Sequence, residues 1–200
     1  MKILIDNGHG IDTKGKRSPV WQPDNAQLFE FEFNRDIANR IYRMLKKEKV
    51  DCELVTPEIN DVSLDERVRR VNAWHQQTPC FLISIHANAG GGTGWEIYTS
   101  PGKTLSDTFA TIIFNEAKMW LPEFRMRTDY TDGDPDKEAN FRILTKTICP
   151  AVLTENLFMD NEKDCRFLMS EEGRAIITYI HVNGILKILK WKQKEWHNRE

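Results

Sequence analysis

The sequence has few cysteines, no long apolar run and almost no excess of charge of either sign. Its four cysteines lie far apart among apolar neighbours and form no CxxC pair, so we expect reduced, mostly buried thiols rather than a disulfide scaffold. No apolar run reaches the roughly 18 residues that span a bilayer, so no stable membrane insertion is expected. A net charge of −2 argues against a dedicated nucleic-acid partner.

The first residues also do not show the pattern expected of a secretory leader. The first apolar run, residues 2–5, is too short for the core of a signal peptide and leads directly into a turn that contains glycine and histidine. We therefore expect synthesis in the cytoplasm without a signal peptide. A chain of 200 residues that is 40% hydrophobic and 29% charged suits one domain with a sizeable core.

Short apolar runs alternate with helical periodicities along the chain. Strands are predicted at residues 2–5, 52–55, 81–85, 95–99 and 151–154. Helices are predicted over about residues 33–48, from a capping box at Ser63, from Leu105 to near Pro122, and from about Ser170 to Lys192. The alternation predicts an α/β single domain, with a twisted, mostly parallel central sheet and helices on both faces.

The boundaries of this domain and one irregular segment complete the predicted organisation. We expect one domain over residues 1–200, with its core ending near residue 190 and a basic helix end at 191–200. The acidic stretch 128–138 matches only the first positions of a calcium loop, and we expect a mobile loop there.

Groups capable of metal or acid–base chemistry follow three of the predicted strands. His9 follows the first strand, His86 the central strand and Glu155 the strand at 151–154. In an α/β sheet the working residues lie beyond the carboxyl ends of the strands, so we expect these three to face one crevice. Two imidazoles and a carboxylate with an open position for water are what a catalytic zinc site requires. Such a site lowers the pKa of water to about 7.

A further carboxylate ligand is expected near the start of the first helix, where Glu30 and Glu32 are both candidates. They cannot both face one point, because in a strand they lie about 6.6 Å apart and in a helix they diverge by about 200°. Spacing alone leaves this choice open. It also leaves each histidine open to an ordinary role as a hydrogen-bonded turn residue.

Four segments of the chain stand in a characteristic order. They are residues 6–10 (DNGHG), 30–38 (EFEFNRDIA), 84–89 (SIHANA) and 150–155 (PAVLTE). Together they closely resemble the zinc-dependent N-acetylmuramoyl-L-alanine amidases of the type 3 family, the autolysin and phage-lysin class. The resemblance covers nearly the whole chain and includes GWEIY at residues 94–98.

The resemblance implies a role for each matching residue. The family's zinc ligands correspond to His9, Glu30 and His86, and its catalytic carboxylate corresponds to Glu155. Glu30 is preferred over Glu32 because it stands four residues before an asparagine and eight before an alanine, as the family's ligand does. Two further residues, Asn88 and Arg67, are candidate contacts to substrate.

The implied reaction is hydrolysis of the amide bond between N-acetylmuramic acid and L-alanine in peptidoglycan. We expect a monomer that acts on the cell wall after lysis or non-classical export. Two alternatives stay open: a zinc peptidase that cuts within the stem peptide, and a catalytically silent module that binds the cell wall.

Three positions depart from the family pattern. Ile11 replaces the usual second glycine after the first histidine, and the aspartate that normally follows comes one residue early, as Asp12. Leu157 replaces the glycine two residues after the catalytic glutamate. None of these differences removes a metal ligand or the catalytic base. We therefore expect metal binding to follow the family pattern, whereas substrate preference is the property that these differences affect.

Overall fold

The computed structural model describes residues 1–197, with side chains through residue 195. The strands are β1 (Lys2–Asp6), β2 (Cys52–Leu54), β3 (Cys80–Asn88), β4 (Glu96–Thr99), β5 (Lys137–Glu138) and β6 (Ala151–Phe158). They form one sheet in the order β2-β1-β3-β6-β4-β5. Every pairing of these strands is parallel except β4 with β6, which is antiparallel. The predicted α/β single domain with a mostly parallel sheet is confirmed.

Within residues 1–197, six helices flank this sheet. They are α1 (Glu30–Lys47), α2 (Leu64–His75), α3 (Leu105–Trp120), α4 (Arg142–Thr145), α5 (Glu162–Met169) and α6 (Glu171–His197). The main core joins α1, α3, α5 and α6 to one face of the sheet, and a second core joins α2 and α4 to the other face. Helices on both faces are therefore confirmed. Within residues 1–197 no helix is both long and apolar enough to cross a membrane.

The face that α2 and α4 cover changes from apolar to polar halfway along the strands. Successive side chains in a strand alternate between faces, so residues two apart share one face. Leu82 of β3 and Leu153 of β6 belong to the second core. Two or four residues further along the same strands come Ser84, His86 and Glu155. The polar half of this face is the floor of a cleft.

Two predicted strand ends were wrong, and the error concerns the residues of interest. His86 and Glu155 lie inside β3 and β6, which continue to Asn88 and Phe158. The two residues are register partners in the parallel pairing of these strands. The apolar run stops because this half of the face borders the cleft, whereas the hydrogen-bonded ladder continues. The site is therefore built on the face of the sheet and not only on loops beyond it.

Other element boundaries also differ from the predictions. Helix α1 begins at Glu30, three residues earlier than its apolar periodicity indicates, and α4 and α5 were not predicted. The stretch 128–138 contains β5, and Asp136 within it is 3% exposed and accepts a 2.7 Å hydrogen bond from Thr99 Oγ1. Helix α6 continues to His197, and residues 198–200 of the expected basic end lie outside the described residues. All four cysteines are free and buried, as expected.

His181 of α6 is a fully buried histidine behind the sheet. Its Nδ1 lies 2.7 Å from the carbonyl oxygen of Ile177, which can only accept a hydrogen bond. Its Nε2 lies 2.9 Å from Thr154 Oγ1, so the threonine hydroxyl donates to it. Burial lowers the pKa of His181 to about 4. The imidazole is therefore neutral in the folded protein at neutral pH.

We expect this histidine to make the fold sensitive to acid. Since its folded pKa is below the unfolded value of about 6.5, the unfolded chain takes up a proton first as pH falls. The free energy of unfolding should drop by roughly 3 kcal/mol between pH 6.5 and pH 4 on this account. Urea unfolding of the wild type and of His181→Gln at several pH values measures how much of the pH dependence of the unfolding free energy comes from His181. Equal pH slopes for the two proteins would show that His181 contributes nothing.

Candidate metal centre and active site

A glycine-containing turn after β1 brings His9 against His86. His9 has φ +50° and the preceding Gly8 has φ +38°. A Cβ at Gly8 would lie 2.4 Å from His86 Cε1, so only glycine allows the two segments to approach this closely. The imidazole rings stand nearly perpendicular, at 87°, with centroids 5.0 Å apart.

Glu30, the first residue of α1, completes a cluster of three ligand groups. Its Oε1 lies 3.1 Å from His86 Nδ1 and 3.3 Å from His9 Nε2. One ligand atom from each residue lies within 4.8 Å of the others. Glu30 is only 1% exposed. The predicted trio of His9, Glu30 and His86 therefore meets at one point.

The donor set and its charge fit a divalent cation. Glu30 Oε2 is buried without a hydrogen-bond partner among the described residues, and Lys16 Nζ lies 3.7 Å from it. Burial acts to raise the pKa of Glu30, but hydrogen bonds to His86 and His9 and the electrostatic attraction of these rings outweigh it. The pKa therefore lies well below its usual range. Two imidazole nitrogens with an ionised carboxylate are ligands typical of catalytic zinc.

The geometry also separates the two carboxylates that spacing left open. Glu32 is exposed, on a different side of α1 from Glu30. Asn34, one turn further along α1, places its amide nitrogen 3.4 Å from Glu30 Oε1, and the backbone N–H of Ala87 lies at the same distance. The structure brings Glu30, and not Glu32, to the histidines. Ligation of a metal by Glu30 stays a prediction.

Glu155 lies beside His86 on the cleft floor and lacks a hydrogen-bonding partner for one oxygen. Its Oε2 is buried and unpaired among the described residues. Burial raises the pKa of Glu155 to about 7; the charge of His86 opposes the shift, and Glu30 and Glu96 add to it. A carboxyl group with such a pKa can accept and return a proton near neutral pH.

Neighbouring carboxylates on the same face are neutralised by basic side chains. Asp6 of β1 pairs with Arg67, whose Nη1 lies 2.5 Å from Oδ1. Glu96 of β4, the antiparallel register partner of Glu155, pairs with Arg127 at 2.8 Å and Lys137 at 2.6 Å. No ion pair of this kind is found for Glu155 in the described part of the chain. Burial without such a partner raises the pKa of Glu155.

The two candidate substrate contacts lie near the site and already have partners. Arg67 is 2% exposed, lines the cleft and donates to Asp6, to Asp61 and to the carbonyl oxygen of Val62. Asn88, the last residue of β3, donates to Glu96 Oε1. These contacts hold both side chains in place. Direct binding of substrate by either residue stays a prediction.

The cleft has a volume of about 450 Å³ and contains His9, His86 and Glu155 in its lining. Its walls come from the start of α2 and from the segment around α4, including Leu64, Phe141 and Arg142. A larger hollow of about 600 Å³ between α1 and α6 contains none of the three site residues. The chemistry therefore coincides with the smaller of these two cavities.

Sequence reasoning missed the group around Glu96. The GWEIY segment was noted only as part of a resemblance, and its two basic partners, Arg127 and Lys137, lie 31 and 41 residues further along the chain. No local pattern connects the three residues. The antiparallel placement of β4 brings them together next to Glu155.

Comparison with known proteins supports one family. Residues 3–187 match the family described as N-acetylmuramoyl-L-alanine amidase, Amidase_3. The amidase CwlM of Bacillus licheniformis is 33% identical over 189 residues, which cover 94% of this chain and 68% of that protein. The sporulation-specific N-acetylmuramoyl-L-alanine amidase of Bacillus subtilis (strain 168) is 30% identical over 196 residues, covering 96% and 70%.

A solved structure agrees with the sequence matches. The N-acetylmuramoyl-L-alanine amidase from Clostridium difficile 630 has a TM-score of 0.77 at 26% identity, covering 94% of this chain and 96% of that one. The region matched by the family includes His9, Glu30, His86 and Glu155. This chain therefore belongs to the N-acetylmuramoyl-L-alanine amidase family, Amidase_3.

Proposed function

We propose that the chain is a zinc-dependent amidase that hydrolyses the bond between N-acetylmuramic acid and L-alanine in peptidoglycan, acting as a monomer on the cell wall. The observation that carries this proposal is the position of Glu155. Its carboxyl group, with one buried and unpaired oxygen, lines the same cleft as His9 and His86, and both histidines contact the buried Glu30. Family membership supplies the bond that is cleaved.

The site residues have two proposed roles: three would bind the metal and one transfers a proton. His9, Glu30 and His86 would hold zinc, and Asn34 and the backbone N–H of Ala87 help to orient the Glu30 carboxylate. Bound zinc supplies Lewis acidity towards a carbonyl oxygen and acidifies water. Glu155 accepts the proton of the attacking water and later delivers it to the amine nitrogen of L-alanine as the amide bond breaks. A carboxyl pKa of about 7 suits both steps.

Digestion of purified peptidoglycan tests the proposal through the chemistry of its products. We expect intact stem peptides that carry a new amino-terminal L-alanine, measured by mass spectrometry after end-labelling of free amines. Treatment with a chelator should abolish their release, and added zinc should restore it. Shortened peptides would support a peptidase instead. Retention on cell walls without any product would support a silent binding module.

A further inference from the structure

Glu96 anchors two basic side chains next to the proposed reaction site. It is 1% exposed, and its carboxylate accepts hydrogen bonds from Arg127 Nε at 2.8 Å and Lys137 Nζ at 2.6 Å. Asn88 and the hydroxyl group of Tyr98 also donate to it. One carboxylate thus faces two cations, so this group carries a net positive charge.

Arg127 has donors to spare after pairing with Glu96. Its Nε makes the hydrogen bond, and the two Nη groups have no protein partner within the described part of the chain. The guanidinium lies 5.0 Å from the ring centroid of Phe158, which fixes its plane, and its side chain is 28% exposed. Lys137 is similarly held, 5.6 Å from the ring centroid of Tyr98, and is 24% exposed. Two oriented, accessible cations suit an anionic ligand, and the planar fork of arginine matches a carboxylate.

The position of this group relative to Glu155 limits what that ligand is. Glu96 and Glu155 are register partners on adjacent strands, which lie about 4.8 Å apart. Arg127 and Lys137 contact Glu96 at 2.8 and 2.6 Å. Their charged groups therefore lie within roughly two residues of extended peptide, at about 3.4 Å per residue, of the Glu155 carboxyl group. In the muramyl unit the lactyl carboxyl group is already consumed in the amide bond. Carboxylates next to that bond therefore belong to the peptide.

We propose that Arg127 and Lys137 form a subsite for a carboxylate of the stem peptide, on the side of L-alanine that leaves with the peptide. This inference rests on the proposed amidase function. It gives Glu96 a positioning role, because its buried carboxylate holds both cations on the strand next to Glu155. A substrate whose carboxylate is amidated loses the charge that these side chains recognise.

Two defined substrates test the subsite: N-acetylmuramoyl-L-alanyl-glutamate, in which both carboxyl groups of glutamate are free, and its analogue in which both are amidated. For the wild type we expect kcat/KM to be about tenfold to a hundredfold higher on the carboxylate form, since hydrogen bonds to charged groups are lost on amidation. Arg127→Gln should lose this preference through a higher KM for the carboxylate form, with little change on the amide. Arg127→Lys keeps the charge and should retain part of the preference. Arg125→Gln, at an exposed arginine two residues away, is the matched control and should behave as wild type.

The outcomes separate this inference from the function on which it rests. Failure of the wild type to cleave either substrate would contradict the amidase proposal itself. Cleavage of both at equal rates, or an equal loss on both in Arg127→Gln, would overturn the subsite while leaving the amidase intact. Lys137→Met provides a second variant that lowers the same preference without removing the contact between Arg127 and Glu96. Thermal melts of each variant confirm that the compared proteins are folded.

Discussion

Replacing Glu155 with glutamine is expected to reduce kcat by about a thousandfold or more while leaving metal binding intact. The amide has nearly the same shape but cannot accept the proton of the attacking water, and positioned acid–base groups contribute about 10²- to 10⁴-fold to rate. Stability should be unchanged or higher, because a neutral amide replaces a carboxyl group that has one buried, unpaired oxygen and no basic partner among the described residues. Turnover on a defined muropeptide, zinc content and melting temperature are the three measurements.

The combination of results matters more than the loss of activity alone. Loss of turnover with one zinc per chain and a melting temperature that is unchanged or higher identifies Glu155 as the residue that transfers the proton. Glu123→Gln, at an exposed carboxylate far along the sequence, controls for the loss of one negative charge. Retention of more than a tenth of wild-type kcat in Glu155→Gln would remove Glu155 from the mechanism.

Glu30→Gln is expected to lower zinc affinity by more than a hundredfold, with a corresponding loss of activity. Removing a residue that only supports a ligand costs about 10- to 100-fold in metal affinity, so removing the ligand itself should cost more. Glu30 lies 3.1 to 3.3 Å from both histidines and its second oxygen is unpaired. Competition against a chromophoric chelator measures the affinity directly, without reference to activity.

Glu32→Gln is the matched control for this experiment. It removes the same charge from the same turn of α1, but its side chain is exposed. Zinc affinity of this variant should equal that of the wild type within error. Equal affinities in Glu30→Gln and the wild type, or a loss confined to Glu32→Gln, would mean that the assignment of the third ligand is wrong.

The sequence allowed the metal trio to be anticipated in part. His9 follows a strand and sits in a turn with glycine, a local pattern that is visible without a structure. The choice between Glu30 and Glu32 depends on the rotation of α1 against the sheet, which spacing alone does not determine. Resemblance to a family, and not periodicity, singled out Glu30.

The cleft floor was harder to predict because two of its residues interrupt an apolar pattern within a strand. His86 and Glu155 looked like the ends of strands, since hydrophobicity stops there, yet the backbone pairing continues past both. A hydrophobic pattern indicates which side chains are buried, not where backbone pairing ends. This half of the sheet face borders the cleft, so its strands lack that pattern. The cluster of Glu96, Arg127 and Lys137 could not be predicted for a different reason. These residues are far apart in sequence, and only the order of strands in the sheet brings them together.

The placement of His86 and Glu155 on adjacent central strands has a consequence for how such enzymes diversify. Both groups belong to a hydrogen-bonded ladder whose spacing cannot change without unpairing the middle of the sheet. The segments around α2 and α4, by contrast, form a rim that can lengthen, shorten or change charge. Changes in these two segments can therefore alter which cell-wall fragment binds, while the relative position of His86 and Glu155 stays the same.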